Sequence, residues 1–149
     1  MRQSRLLGIA KTISFIFDGE NGGSKVGNWS GQRQTISSTQ IKLNTIANST
    51  SVAKAYTNST VNVTNYHRMV FIVTKASNTT NGGYRRVGVA SSSNTSPSNY
   101  ATVANGISSA TRYVVDLTSL TGNKYVSLWV SPKSGSNASE TIVTKIWME

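Results

Sequence analysis

The stretch Tyr113-Val-Val-Asp-Leu-Thr-Ser-Leu-Thr-Gly-Asn-Lys-Tyr-Val-Ser-Leu-Trp-Val-Ser131 decides the fold class. Two apolar runs of period two flank a polar connection holding Asp116, Thr118, Ser119 and Gly122. Period two is the signature of pleated strands with one buried face, so the stretch reads as strand, turn and strand, a hairpin. In its second run Val126, Leu128 and Val130 point to one side and are expected in the core. Tyr125, Ser127, Trp129 and Ser131 point to the other, a face that fits solvent, a ligand or a second subunit.

Working outward, the final run Thr141 to Met148 alternates again. It predicts Ile142, Thr144, Ile146 and Met148 on one face, with Ile142 and Ile146 in the core, and Thr141, Val143, Lys145 and Trp147 on the other. Were the two late strands neighbours, Trp129, Trp147 and Tyr125 would form one apolar patch. Toward the N-terminus, strands are expected at Thr12 to Phe17, at Gln40 to Leu43, at Ser51 to Thr57 and at Val61 to Tyr66, and Lys25 to Thr35 around Trp29 reads as a strand or a bulged loop. Met69 to Lys75 is apolar on both faces at its centre and reads as an interior strand. Tyr84 to Ser91 sets Arg85, Val87 and Val89 against Arg86, Gly88 and Ala90. The polar tract Ser92 to Asn99 reads as a loop, and a short strand at Ala101 to Val103 follows.

The 149 residues fit one domain. Val, Ile, Thr and Tyr supply the apolar runs and helix formers are sparse, a balance that favours sheet. The expectation is an all-β, antiparallel sandwich over residues 12 to 149. Residues 1 to 11, with Arg2, Arg5 and Lys11 around Leu6, Leu7 and Ile9, read as a basic arm or edge strand. No segment has the run of apolar residues that a membrane span needs, and no membrane partner is expected. The N-terminus has a basic start, but Lys11 splits its apolar part and no small-residue cleavage site follows, so it does not read as a signal peptide.

Five carboxylates face fifteen Lys and Arg, a formal charge of +10. The excess suggests an anionic counterpart. Nucleic acid fits less well, because the cations are scattered and form no run denser than Arg85-Arg86. Acidic capsid surfaces and anionic wall polymers such as teichoic acids are equally good counterparts. With no cysteine there is neither a disulfide frame nor a thiolate metal site nor a thiol nucleophile. His67, the only histidine, has no carboxylate nearby in sequence to orient it as a base, and reads as a turn or packing residue. Asp18 and Glu20 are the one close acidic pair, the place to look for a calcium ion or a general acid, although the glycines around them favour a plain polar turn. No catalytic residue, metal or cofactor is assigned.

A resemblance enters at Val61-Asn-Val-Thr-Asn-Tyr66 running into MVFIV, and at Val115-Asp-Leu-Thr-Ser-Leu-Thr-Gly-Asn-Lys-Tyr125 running into VSLWV. Their strand and turn grammar resembles that of the jelly-roll modules in tail, baseplate and fibre proteins of tailed bacteriophages, which are similar in layout to galactose-binding-like carbohydrate modules. The closing TIVTKIWM fits the last strand of that layout. The resemblance implies that Asp116, Gly122 and Tyr125 are turn and packing positions. It further implies a non-enzymatic virion component, in the capsid decoration, tail or baseplate, contacting other virion proteins and copies of itself. The alternative is a carbohydrate-binding module for bacterial wall glycans. Aromatic faces stack on sugar rings while polar groups bond the hydroxyls, which makes Trp29, Tyr84, Tyr100, Tyr125, Trp129, Trp147, Arg85 and Arg86 the candidate partner or glycan contacts.

Overall fold

The computed structural model describes residues 12–77 and 83–149, and the basic arm expected over residues 1 to 11 lies outside them. Among the described residues there is no helix, and hence none long and apolar enough to cross a membrane. The strands are β1 (Ser14–Asp18), β2 (Gly23–Ser24), β3 (Trp29–Gln32), β4 (Gln34–Ile36), β5 (Ile41–Asn44), β6 (Ala53–Thr57), β7 (Val61–Asn62), β8 (Arg68–Ala76), β9 (Tyr84–Ala90), β10 (Asn99–Thr102), β11 (Thr111–Asp116), β12 (Asn123–Ser131) and β13 (Glu140–Met148).

They form two antiparallel sheets, as the alternation predicted. In the first, β11, β8 and β13 are adjacent, and the far edge of β13 is shared end to end by β1 and β5. β2 continues outward from β1, and β4 from β5. The second runs β10-β9-β12-β6-β3, with β7 paired to the start of β12. The inner faces of both sheets supply one core that includes Phe17, Leu43, Phe71, Val89, Leu128 and Ile146, each at most 1% exposed. Each such side chain contributes about 1.5–3 kcal/mol by leaving water. β8 is an interior strand, as its two apolar faces required: its outward Val70 is fully buried, flanked by Val114 and Trp147 on the neighbouring strands.

Three local expectations need correction. The stretch from Tyr113 to Ser131 is not a hairpin: β11 pairs only with β8 in the first sheet, and β12 lies in the second beside β9 and β6. Its connection crosses the sandwich. Leu117 at the corner is fully buried and its amide donates to His67 O at 2.8 Å, while Asp116 Oδ1 accepts from the Thr118 amide at 2.9 Å to shape the turn. Gly122 then supplies a φ of 78°. Alternation specifies which face is buried but not which strand pairs with it, and an arch satisfies the same pattern as a hairpin.

The second correction concerns β13. Its register against β8 shifts around Val143, so its inward residues are Thr141, Val143, Ile146 and Met148, and Ile142 is only half-buried. A bulge adds one residue and reverses the faces beyond it. The third concerns the run around Trp29, which is two strands in different sheets: the chain turns at Arg33, whose φ is 53°, between β3 in the second sheet and β4 in the first.

Candidate functional site

The outer face of the second sheet carries most of the aromatic and cationic candidates. Cross-strand register places Gln32, Lys54, Trp129, Arg86 and Thr102 in one transverse row over β3, β6, β12, β9 and β10. The next row holds Ser30, Tyr56, Ser127, Gly88 and Tyr100. Tyr84 stands opposite Ser131 on the other side of the first row. Side chains on one face of adjacent strands lie about 5 Å apart, so these rings and cations form a continuous surface.

The cations lie over the rings. Lys54 Nζ sits 4.9 Å from the Trp129 ring centroid. The guanidinium carbon of Arg86 is 4.0 Å from the Tyr84 centroid and 4.1 Å from that of Tyr100, so the group bridges both tyrosines. Arg86 Nε is buried there with no hydrogen-bond partner among the described residues. Tyr100 is 42% exposed, which leaves this end of the surface open to solvent.

Two features set the limits of the surface. Gly88 lets β10 approach closely: a Cβ at that position would lie 1.9 Å from Asn99 O and 2.8 Å from Tyr100 Cα. The polar tract after β9 does not hang free but lies on the sheet. Ser127 Oγ donates to Thr95 O at 2.8 Å and the Ser98 amide donates to Val89 O at 3.0 Å, and Ser127, an outward residue, is thereby only 1% exposed. Lys124 Nζ donates to Ser91 Oγ at 3.3 Å where this tract begins.

Of the residues singled out from the sequence, Tyr84, Arg86, Tyr100, Tyr125 and Trp129 all lie on this face. The others do not. Trp29 pairs with Thr57 and turns inward to pack on the edge of the core, its Nε1 donating to Ser24 Oγ at 3.0 Å. Arg85 points between the sheets, 2% exposed, and donates through Nε to Thr141 Oγ1 at 2.8 Å and through its other nitrogens to Asn105 Oδ1 and Ser77 O. Burial disfavours its charge and holds its pKa down to about 10. Trp147 stands on the outer face of the first sheet, its ring centroid 5.9 Å from that of Phe15 and its Nε1 donating to Glu149 Oε2 at 3.2 Å. Trp129 and Trp147 therefore face opposite directions and form no common patch.

Lys54 and Tyr56 escaped the sequence reading. Their signal was the alternation of Ala53-Lys54-Ala55-Tyr56-Thr57, in which Ala53, Ala55 and Thr57 are fully buried. Small inward residues gave that strand a weak apolar signature.

The acidic pair forms no paired carboxylate site. Asp18 Oδ2 accepts from Asn21 Nδ2 at 2.8 Å, and this bond chiefly keeps its pKa below the ordinary value. Glu20 instead reaches Lys145 Nζ at 2.8 Å. Among the described residues, no three acidic, histidine or cysteine side chains converge as a metal-binding group.

No protein-family model and no curated protein matches the chain. Its fold is similar to solved structures of family 29 carbohydrate-binding modules. A variant of the module CBM29-2 superposes with a TM-score of 0.61 at 13% identity, over 93% of this chain and 92% of that one. A second variant, complexed with mannohexaose, gives 0.60 at 12% identity over 94% and 92%. A third, complexed with cellulohexaose, gives 0.58 at 12% over 92% and 89%. The likeness shows the fold, a single-domain β-sandwich. These neighbours are carbohydrate-binding modules and not virion proteins, so the jelly-roll half of the sequence resemblance stands and its virion half gains no support.

Proposed function

We propose that this chain is a carbohydrate-binding module that holds an extended glycan on the outer face of its second sheet. The observation that carries the reading is the aromatic surface of Tyr56, Tyr84, Tyr100 and Trp129, set on rigid strands of a sandwich similar in fold to modules solved with mannohexaose and cellulohexaose. Sugar rings present apolar C–H faces that stack on aromatic rings, and strands fix those rings before binding, so little side-chain freedom is lost. Gln32, Ser30, Thr102 and Arg86 border the rings with hydrogen-bonding groups for the hydroxyls.

The function is binding without bond cleavage, with Trp129 at the centre of the surface and Tyr125 beyond the tract that crosses it. The test is calorimetric titration of the purified protein with mannohexaose and cellulohexaose. Saturable binding that Trp129→Ala removes and Trp147→Ala leaves intact is the expected result. Binding that Trp147→Ala removes instead would move the site to the first sheet. If the protein binds neither these hexasaccharides nor their acidic counterparts, the reading is overturned.

A further inference from the structure

The two sheets differ completely in charge. All five carboxylates, Asp18, Glu20, Asp116, Glu140 and Glu149, lie on strands of the first sheet, in the turn joining its β1 and β2, or just after β13. Three of them are ion-paired there: Lys42 and Lys75 pair with Glu140, Arg68 and Arg112 with Glu149, and Lys145 with Glu20. No strand of the second sheet contains an acidic residue. Its outer face nevertheless carries Lys54 and Arg86, which have no carboxylate partner among the described residues, on either side of Trp129.

The same two cations lie against the aromatic rings of this surface. The Lys54 ammonium lies over Trp129 and the Arg86 guanidinium over Tyr84 and Tyr100. A neutral ring stacking beside the ammonium offers it only hydroxyl acceptors, a weaker exchange for its contact with the indole. A sugar bearing an anion lets the ammonium exchange its ring contact for a charge-assisted hydrogen bond while the ring stacks. Arg86 Nε is buried there with no hydrogen-bond partner among the described residues, so the charge of this guanidinium is not balanced within the sheet. Lys54 and Arg86 are separated by two inter-strand spacings, about 10 Å, which is close to the length of a disaccharide and suits anionic groups repeating on alternate sugars.

We infer that the ligand of this face is an acidic glycan, a chain of sugars carrying carboxylate or sulfate groups, with Lys54 and Arg86 as the anion-binding residues on either side of Trp129. The inference rests on the reading of this face as glycan-binding and adds the class of glycan. A single-stranded nucleic acid also combines anions with stackable rings. The separation of two cations by one indole, on a fold similar to glycan-binding modules, favours the sugar chain.

The test is titration of the whole chain with matched hexasaccharides: mannohexaose, its uronate counterpart (a β-1,4-linked mannuronate hexamer), and a sulfated mannohexaose, with a thymidine hexanucleotide as comparison. One acidic hexamer is expected to bind at least about tenfold more tightly than mannohexaose. The better of the two identifies carboxylate or sulfate as the anion. The preference should shrink toward unity near about 0.5 M salt, where screening is strong. It should also collapse in Lys54→Gln with Arg86→Gln, whose folding is checked by its thermal transition. Mannohexaose binding as tightly as both acidic hexamers overturns the acidic-glycan inference and leaves the glycan-binding face standing. A preference that survives in the double variant overturns it too, since the charge would then act elsewhere. Binding of no hexasaccharide overturns both readings, and tighter binding of the hexanucleotide than of either acidic hexamer assigns the face to nucleic acid.

Discussion

Lys54 and Trp129 stand directly opposite each other on β6 and β12, with the ammonium 4.9 Å from the indole centroid. The contact joins the most central ring of the proposed surface to an unpaired cation. Truncation of Trp129 should therefore remove both the stacking surface and the seat of Lys54. Trp129→Ala is expected to weaken glycan binding at least tenfold, about 1.4 kcal/mol or more, with little change in the thermal midpoint because the indole lies outside the core. A calorimetric titration and a melting curve on the same sample check both halves.

Arg85 and Arg86 are adjacent in sequence and opposite in role. Arg85→Met should destabilise the fold, because Thr141 Oγ1 and Ser77 O lose their donor between the sheets, at about 1–3 kcal/mol for each acceptor left buried and unpaired. Glycan affinity of the folded fraction should stay unchanged. Arg86→Gln should show the reverse, with a stability loss limited to about 1–2 kcal/mol from its two ring contacts and weaker binding of the preferred hexasaccharide. Urea titrations paired with binding isotherms separate the two.

Gly88→Ala should displace β10, since its Cβ would collide with the backbone of Asn99 and Tyr100. Tyr100 would leave the Arg86 guanidinium it now covers. The expected outcome is a destabilisation of about 1–3 kcal/mol together with reduced binding, read by chemical denaturation and titration. A variant with unaltered stability and affinity would show that β10 can yield without cost.

Acid should destabilise the first sheet. Glu140 is held below its ordinary 4.5, first by the hydrogen bond from Lys75, and Glu149 below the same value, first by the hydrogen bond from Trp147 with Arg112 and Arg68 adding to it. A carboxylate with a lowered folded pKa binds fewer protons folded than unfolded. Its contribution is therefore complete above the unfolded value and is lost as pH falls through the folded one. The thermal midpoint should drop as pH falls below the ordinary carboxylate value of 4.5, and Glu140→Gln should make that drop shallower. At neutral pH the same substitution should cost no more than about 1 kcal/mol, because the pairs are partly exposed.

Core packing offers a control that leaves the surface chemistry alone. Leu128 is fully buried between Ser127 and Trp129, and Leu128→Ala should cost about 2–5 kcal/mol. The folded variant should still bind, with any loss traceable to a shift of the neighbouring Trp129.

The sequence by itself determined the class of fold and the inward or outward sense of most strands. Alternation at Val126, Leu128 and Val130, and at Arg85, Val87 and Val89, marks one buried face in each run, because burial on one side of a pleat leaves a period of two. That was enough to set Trp129 facing outward and to put Arg85 and Arg86 on opposite faces. Only the tertiary structure decided which strands share a sheet. Period two is identical for a hairpin and for an arch, so nothing in Tyr113 to Ser131 announced that the chain crosses the sandwich. Nor could alternation foresee the bulge in β13, where one extra residue brings Thr141 and Val143 inside and turns Ile142 out. The candidate site depended on those non-local choices. Trp129 and Trp147 carry the same local pattern and end on opposite faces. Lys54, from a strand of small inward residues, reaches Trp129 through a cross-strand pairing 75 residues apart in sequence (129 less 54). Local spacing reports burial; long-range pairing determines which outward side chains meet.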